Sequence, residues 1–126
     1  MKRNMDLVRA ILLTMDQHEH GFAPPGFTIA GYDDEVIGHH VYLMGQGELL
    51  VTVTTTVTTT AFGGSSPVAM PITITWKGHD FLDAVRNETV WSKVKIQLKD
   101  RGISLPFTLL QDLALKILAA HIGLNP

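Results

Sequence analysis

The chain of 126 residues contains no cysteine, which excludes a disulfide framework, a thiolate zinc site and a cysteine nucleophile. That absence fits a cytoplasmic compartment. Long apolar runs are also missing, since no uninterrupted stretch reaches the roughly 20 residues that a membrane-spanning helix needs. The start of the chain has basic residues before an apolar run, but Asp6 and Arg9 interrupt that run and its apolar positions have helical spacing, so a signal peptide is not predicted. We therefore expect a globular protein without a membrane partner.

Lysine and arginine are absent from residues 10–76, between Arg9 and Lys77. The same stretch contains acidic residues throughout: Asp16, Glu19, Asp33, Asp34, Glu35 and Glu48. Affinity for nucleic acid comes largely from basic side chains that replace the counterions of phosphates. The formal net charge of −2 also gives the whole chain no general attraction to nucleic acid. Residues 10–76 are thus predicted to bind DNA poorly.

The first part of the chain, residues 1–48, is predicted to contain two helices and a short strand. Apolar residues at helical spacing predict an amphipathic helix over 5–17, with Asn4 as its N-cap. A turn rich in glycine and proline follows, and residues 27–30 are a short strand candidate. A second helix is predicted over Asp33–Met44, with acidic residues in its favourable first turn.

The period of the apolar pattern changes from helical to alternating at residue 49, which predicts a β-hairpin over 49–76. Its outgoing strand, 49–57, has one apolar face and one threonine face. Residues 62–67 are the predicted loop, and 71–76 the returning strand. The repeated threonines are typical of a half-exposed strand pair built from β-branched residues.

The remaining residues, 77–126, are predicted to be helical. A first helical region leads to Gly102, with a bend or break at 87–89. Ser104 and Pro106 are predicted to open a last helix, in which apolar residues cover more than half of the circumference. Such a helix needs burial on two sides, either within its own domain or against a partner.

Two stretches together resemble a known family. Asp34–Leu50 (DEVIGHHVYLMGQGELL) resembles the passage from a recognition helix into the wing of a winged-helix domain. Ile72–Arg86 (ITITWKGHDFLDAVR) resembles the exit from the wing, where a Leu-Thr-x-x-Gly signature takes the form Ile-Thr-Trp-Lys-Gly at 74–78. With KRNMDLVR at 2–9 and Val-Trp at 90–91, the chain is similar to an uncharacterised family of short bacterial, phage and prophage proteins, domain of unknown function 2513.

The resemblance implies an α+β fold, namely a single winged-helix-like domain over 1–126 with an extended β-hairpin wing and C-terminal helices. Its most specific part is the block WKGHDFLDA at 76–84. It also implies a phage or prophage setting, but no established activity and no catalytic residues. The chain departs from the usual winged helix because residues 25–33 leave no room for a full additional helix, so the helix-turn-helix is predicted to be reduced.

Enzymatic and metal-binding functions are weakly supported. His18 and His20 resemble half of a metal site, but metal binding needs three or four converging ligands. Adjacent His39 and His40 point about 100° apart on a helix, so only one of them can join a given cluster. The chain has neither a Gly-x-Ser-x-Gly motif nor a glycine-rich phosphate loop. We predict no enzyme, no metal site and no cofactor.

A protein-interaction module is the favoured function, with a host or phage protein as partner. The long hairpin could add a strand to the exposed sheet edge of that partner. The predicted partner-binding residues lie on the second helix and the hairpin: Asp34, Glu35, His39, Tyr42, Thr54, Thr56 and Thr58. A host defence or transcription protein is a sensible target for a protein in a phage setting.

A DNA-binding regulator is the alternative function. Base reading would fall to Asp33–Met44, where basic residues are lacking, and threonine hydroxyls of the wing release no counterions from phosphate. Basic side chains that could form an exposed stripe occur later in the chain, at Lys93, Lys95, Lys99 and Arg101. A solvated helix face is the more usual role of such a stripe. DNA binding through it remains the disfavoured alternative.

Self-association is predicted through the last helix, with Leu115 and Ile122 on the surface between two copies. Leu115→Glu would place a buried charge there, so we expect the variant to sediment as a monomer where the unmodified chain sediments as a dimer. An unmodified chain that is already monomeric at micromolar concentration would contradict the prediction.

Overall fold

The computed structural model describes residues 2–24, 27–57, 66–102 and 105–124. Within them, α-helices and one antiparallel pair of strands form an α+β structure, as predicted. In chain order the elements are α1 (Met5–Asp16), a short 3-10 turn (Glu19–Gly21), α2 (Asp34–Gln46), β1 (Leu50–Val57), β2 (Ser66–Ile74), α3 (Trp76–Val85), α4 (Glu88–Arg101) and α5 (Phe107–His121).

The chain divides into two compact units, Met1–His79 and Asp80–Pro126. The first unit holds α1, α2, the hairpin of β1 and β2, and the start of α3. The second unit holds the rest of α3 together with α4 and α5. The single domain predicted over 1–126 stays a prediction.

The helix α1 forms where it was predicted. The Asn4 side chain caps it by accepting a hydrogen bond from the Leu7 backbone N–H at 3.2 Å. Its predicted apolar stripe is buried throughout and consists of Leu7, Val8, Ile11, Leu12 and Met15. Burial of this stripe is the main reason for the helix, since helices of this length are marginal without tertiary packing.

The short strand predicted at 27–30 is wrong, because those residues form a turn and irregular chain. The short pairing comes earlier, where Phe22 forms an isolated antiparallel β-bridge with Thr73. Next to it, the Ala23 N–H donates to the Ile72 carbonyl at 3.0 Å. The pairing is long-range, and local β-propensity cannot indicate which residue of an extended segment meets a distant strand.

The hairpin exists, but its returning strand is longer and starts earlier than predicted. β2 starts at Ser66, inside the predicted loop, and ends at Ile74, so Trp76 begins α3 instead of ending the strand. Pro67 was predicted to end the loop and Pro71 to start the returning strand, and both lie inside β2. They are tolerated because both strands of a two-stranded sheet are edge strands, where a missing N–H donor need not disrupt a ladder.

The end of the hairpin is joined to α3 through Thr75. Its backbone N–H donates to the Leu49 carbonyl at 3.1 Å, and its hydroxyl donates to the Glu48 carbonyl. The same hydroxyl oxygen accepts from the Gly78 N–H at 3.0 Å, which caps the first turn of α3. Gly78 also packs so closely on the Leu49 carbonyl that a side chain there would overlap it.

The second unit contains the break that was predicted at 87–89. Asn87 caps α4 by accepting from the backbone N–H groups of Thr89 and Val90, at 2.9 and 3.1 Å. Gly102 ends α4 in the left-handed conformation, with a φ of 63°. α5 begins at Phe107, directly after Pro106, while Ser104 lies outside the described residues.

In the part of the chain that the structure describes, every helix is too short or too polar to cross a bilayer.

We predict that Gly78→Ala lowers the free energy of unfolding by about 3 kcal/mol, because the new methyl group would overlap backbone that cannot move aside. Gly47→Ala is the matched control, since its methyl would meet the Leu43 carbonyl oxygen at an ordinary 3.5 Å. Urea-induced unfolding measures both variants. Equal midpoints for the two would contradict the close packing at Gly78.

Candidate functional site

Three of the predicted partner-binding residues share one side of α2. Glu35 is exposed, and His39 and Tyr42 are half-buried. The rings of His39 and Tyr42 stack with centroids 6.3 Å apart, and the Tyr42 hydroxyl accepts from Gln46 Nε2 at 3.0 Å. Residues at this spacing follow one helix face. The structure therefore brings Glu35, His39 and Tyr42 together, on the side of α2 that faces away from its buried residues.

Asp34 lies on a different side of α2, at the edge of a groove of about 580 Å³. Three segments of the first unit form this groove: the connection after the 3-10 turn, α2 and β2. It is lined by Ala23, Pro24, Phe27, Thr28, Asp34, Ile37, Gly38, Val41, Ala69, Met70 and Pro71. The lining is apolar except for Thr28 and Asp34. Sequence reasoning missed the groove because its walls come from segments far apart in the chain.

α2 approaches β2 closely beside the groove because Gly38 has no side chain. A Cβ atom at Gly38 would lie 3.0 Å from Cβ of Val68, which is tighter than ordinary contact. Glycine inside a helix costs about 1 kcal/mol relative to alanine. Its presence at Gly38 is thus explained by the close packing of helix and strand.

The threonines predicted to bind a partner are only in part described. Thr54 is in β1 and its side chain is exposed. Thr56 is also in β1, but its side chain lies outside the described part, and Thr58 lies outside the described residues altogether.

The apolar side of β1 is exposed at its start. Val51 and Val53 are 46% and 52% exposed, and Met70, which pairs with Val53 across the hairpin, is 63% exposed. Val51 pairs with Thr73 of β2, and Thr73 in turn forms the β-bridge with Phe22. The Phe22 side chain is 50% exposed. Paired residues of antiparallel strands project to the same side of a sheet. We name this set, Phe22, Val51, Val53 and Met70, the apolar hairpin face.

A bulge explains why this face is continuous along both strands. The pairing shifts between Val51 and Thr52, so that Thr73 faces Val51 while Pro71 faces Thr52. The extra residue in β2 keeps Met70 on the side of Thr73 although the two are an odd number of residues apart. The alternating pattern in the sequence showed which residues share a face, but it could not show whether that face is covered.

Trp76 is a further exposed apolar residue of the first unit. It was predicted to end the returning strand, yet it is the first residue of α3 and is 86% exposed. Tryptophan is enriched among residues that contribute strongly to protein–protein binding.

His40 is buried and links α2 to the start of α1. Its Nε2 accepts from the Asn4 backbone N–H, and its Nδ1 donates to the Val36 carbonyl, both at 2.9 Å. The Asn4 N–H can only donate and the Val36 carbonyl can only accept. These two hydrogen bonds together require a neutral His40 ring with its proton on Nδ1. Burial lowers the pKa of His40; the Val36 carbonyl raises this pKa, and nearby His39 lowers it. His40 is thus a structural residue.

The other histidines are not gathered into a cluster. His18 and His20 are exposed, and His20 Nε2 lies 3.2 Å from Glu19 Oε1. His79 Nδ1 is 4.0 Å from Asp16 Oδ1. Among the described residues, no three histidine or acidic side chains converge as metal ligands would.

The predicted basic stripe on α4 consists of exposed lysines, Lys93, Lys95 and Lys99, while the Arg101 side chain lies outside the described part. Lys93 and Lys99 lie three residues on either side of Ile96, which is exposed. Lys95 is about 160° around the helix from Lys93, so the lysines spread over the solvent side and do not form one narrow line.

Both predicted self-association residues are exposed. Leu115 in α5 is 46% exposed, and Ile122, one residue after α5, is 56% exposed. They are seven residues apart and therefore lie on the same side of the helix axis. The dimer itself stays a prediction.

Comparison with known proteins gives a family but no activity. Residues 2–104 match the family described as "Hypothetical protein (DUF2513)". The chain is similar to an "Uncharacterized protein" of Haemophilus influenzae (strain ATCC 51907 / DSM 11121 / KW20 / Rd), with 31% identity over 126 residues that cover 98% of this chain and 100% of the relative. No solved structure matches the chain.

We predict that stability falls as the pH drops below about 6.5, the ordinary pKa of histidine. The folded state holds His40 neutral, so below this pH the unfolded chain binds more protons and acid favours unfolding. The loss continues until the pH passes below the lowered pKa of the folded state. Urea midpoints measured between pH 7.5 and pH 5 check this expectation.

His40→Gln separates this effect from that of the other histidines. A neutral glutamine can accept from the Asn4 N–H without titrating, so we expect a shallower pH dependence at the cost of lower stability at neutral pH. His39→Gln is the matched control and should keep the pH dependence of the unmodified chain. Equal slopes in both variants would assign the effect to another group.

Proposed function

The chain belongs to the DUF2513 family, and from that premise we propose that it is a non-enzymatic, winged-helix-like protein that acts by binding another protein. The apolar hairpin face and the outward side of α2, with Glu35, His39 and Tyr42, are the proposed contact surfaces. The single observation that carries the proposal is the exposure of a cross-strand apolar pair, Val53 and Met70, each more than half accessible to water.

The order of elements supports a winged-helix-like scaffold. A helix, α1, is followed by a bridging segment at Phe22, by α2 and by the hairpin. Phe22 pairs with β2, the returning strand, as the first strand of a winged-helix sheet pairs with the wing. Residues 27–33 are not helical, which agrees with a reduced helix-turn-helix.

Exposure of apolar side chains in a regular sheet supports protein binding. A cross-strand apolar pair stabilises a hairpin most when it is removed from water. Here the pair of Val53 and Met70 lies beside two further exposed apolar residues, Phe22 and Val51. Contiguous exposed apolar patches rimmed by polar residues are typical of protein interfaces. A partner that covers the patch would supply the missing burial.

Charge supports a protein partner over DNA at this surface. The elements that carry the patch and the outward side of α2 fall within residues 10–76, which have no lysine or arginine. Glu35 and Asp34 are exposed there. Phosphates would be repelled by these carboxylates and would meet no cation to replace their counterions.

The family resemblance noted in the sequence supports a phage or prophage setting. In a phage or prophage the partner would be a host or phage protein in the host cytoplasm, and a defence or transcription protein is a sensible host target. Self-association through Leu115 and Ile122 would present two copies of the surface to one partner assembly.

The second candidate function is DNA binding through α4. The exposed Lys93, Lys95 and Lys99 favour it, since each could contact a phosphate. The proposed protein surface and these lysines lie in different elements, so the two functions can be tested separately.

Photo-crosslinking in host cells tests the proposal. With benzoylphenylalanine in place of Val53 we expect one discrete protein adduct, and Met70→Lys in the same chain should remove it, because a charge opposite the crosslinker would break the apolar contact. Ser92 is the control position, since it is exposed but lies in α4, outside the proposed surfaces. Equal adducts from positions 53 and 92, insensitive to Met70→Lys, would contradict the proposed surface.

A DNA mobility-shift assay over a salt series tests the alternative. The proposed function predicts only weak binding that ordinary salt abolishes. Sequence-specific retention that is lost when Lys93, Lys95 and Lys99 are changed to alanine would instead establish the second function.

A further inference from the structure

We propose that the groove beside α2 binds a segment of the partner protein in which a large apolar side chain stands next to lysine or arginine. This inference rests on the proposed protein-binding function and adds the chemistry of the bound segment. The groove lies within the first unit, and its two polar lining residues, Thr28 and Asp34, are both exposed.

The size and lining of the groove fit an apolar side chain. Its volume of about 580 Å³ falls in the range of about 300–1,000 Å³ that is usual for binding clefts. Ile37 and Val41 of α2 line one wall, and Met70 and Pro71 of β2 line the other. Apolar atoms that enter this space leave water and gain contacts on both sides, which favours their binding.

The charge at the groove selects a basic neighbour for that side chain. Asp34 is the charged lining residue, and Asp33 and Glu35 flank it in sequence. Among the described residues Asp34 forms no ion pair. The start of α2 contributes only about half a positive charge, which the full negative charge of the Asp34 carboxylate outweighs. An anionic ligand is therefore disfavoured, and a cation next to the apolar group is favoured.

Continuity with the apolar hairpin face indicates a protein segment as the occupant. Met70 belongs to both surfaces, because it lines the groove and pairs with exposed Val53. One partner can therefore cover the hairpin face and insert a side chain into the groove, whereas a small molecule in the groove would leave the hairpin face exposed.

Nuclear magnetic resonance of the full ¹⁵N-labelled chain tests the inference with synthetic peptides. The probe is the capped peptide GLKLG, and the matched controls are GLELG, which reverses the charge, and GSKSG, which removes the apolar side chains. We expect GLKLG to shift the amide signals of Gly38 and Ala69 in a saturable manner at millimolar concentration. The two controls should produce much smaller shifts, because each lacks one of the two required groups.

Two variants connect the shifts to the groove. Asp34→Asn should weaken GLKLG binding by about threefold, the effect of one exposed ion pair, while Asp112→Asn, an exposed acid of α5, should not. Thr28→Trp should abolish binding by filling the groove, and because Thr28 is exposed and outside helices and strands, the rest of the spectrum should be retained.

Other outcomes would overturn the inference. Equal shifts with GLELG would remove the charge selection, and equally strong binding of hexanoate would make the groove a small-molecule pocket. Concentration-dependent shifts of Gly38 and Ala69 without peptide would assign the groove to a second copy of the chain. The absence of any GLKLG shift would refute the groove alone, since crosslinking from position 53 reports separately on the hairpin face.

Discussion

The hydrogen bonds of Thr75 are the constraint on which the hairpin and its surfaces depend. This residue ties the end of β2 to the chain just before β1, through the carbonyls of Glu48 and Leu49, and it caps α3 through the Gly78 N–H. The bare backbone of Gly78 lets the helix start directly against Leu49. The spacing of Thr75 and Gly78 is thereby explained by structure: threonine supplies the cap and glycine supplies the space.

The side on which the apolar hairpin face lies follows from the way Thr75 joins the end of β2 to the start of β1. Because Leu49 and Thr75 are held together, Leu50 pairs with Ile74 as the first rung of the hairpin, and both are buried. The rungs beyond it alternate sides, and the bulge after Val51 keeps Met70 on the same side as Val51 and Val53. The apolar hairpin face is thus a consequence of a register that is set at the Thr75 end.

Helical periodicity predicted the parts of the fold whose contacts are local. The sequence predicted three local features correctly: the apolar stripe of α1, its Asn4 cap and the break before α4. Each depends on residues within a few positions of one another. The sequence did not predict the bridge at Phe22 or the full extent of β2, because both depend on pairing between distant segments. The site shows the same difference between local and long-range features. Helical spacing alone places Glu35, His39 and Tyr42 on one side of α2. The groove could not be predicted from the sequence, because its lining comes from three segments that are far apart in the chain.

The distribution of charge along the chain separates the two functions that remain open. α2 and the hairpin fall in residues 10–76, which offer phosphates no lysine or arginine. The exposed lysines of α4 belong to the other compact unit. Any attraction of phosphates to lysine or arginine would therefore have to act outside α2 and the hairpin. Under the proposed function, a protein partner would stabilise the exposed apolar hairpin face by covering it.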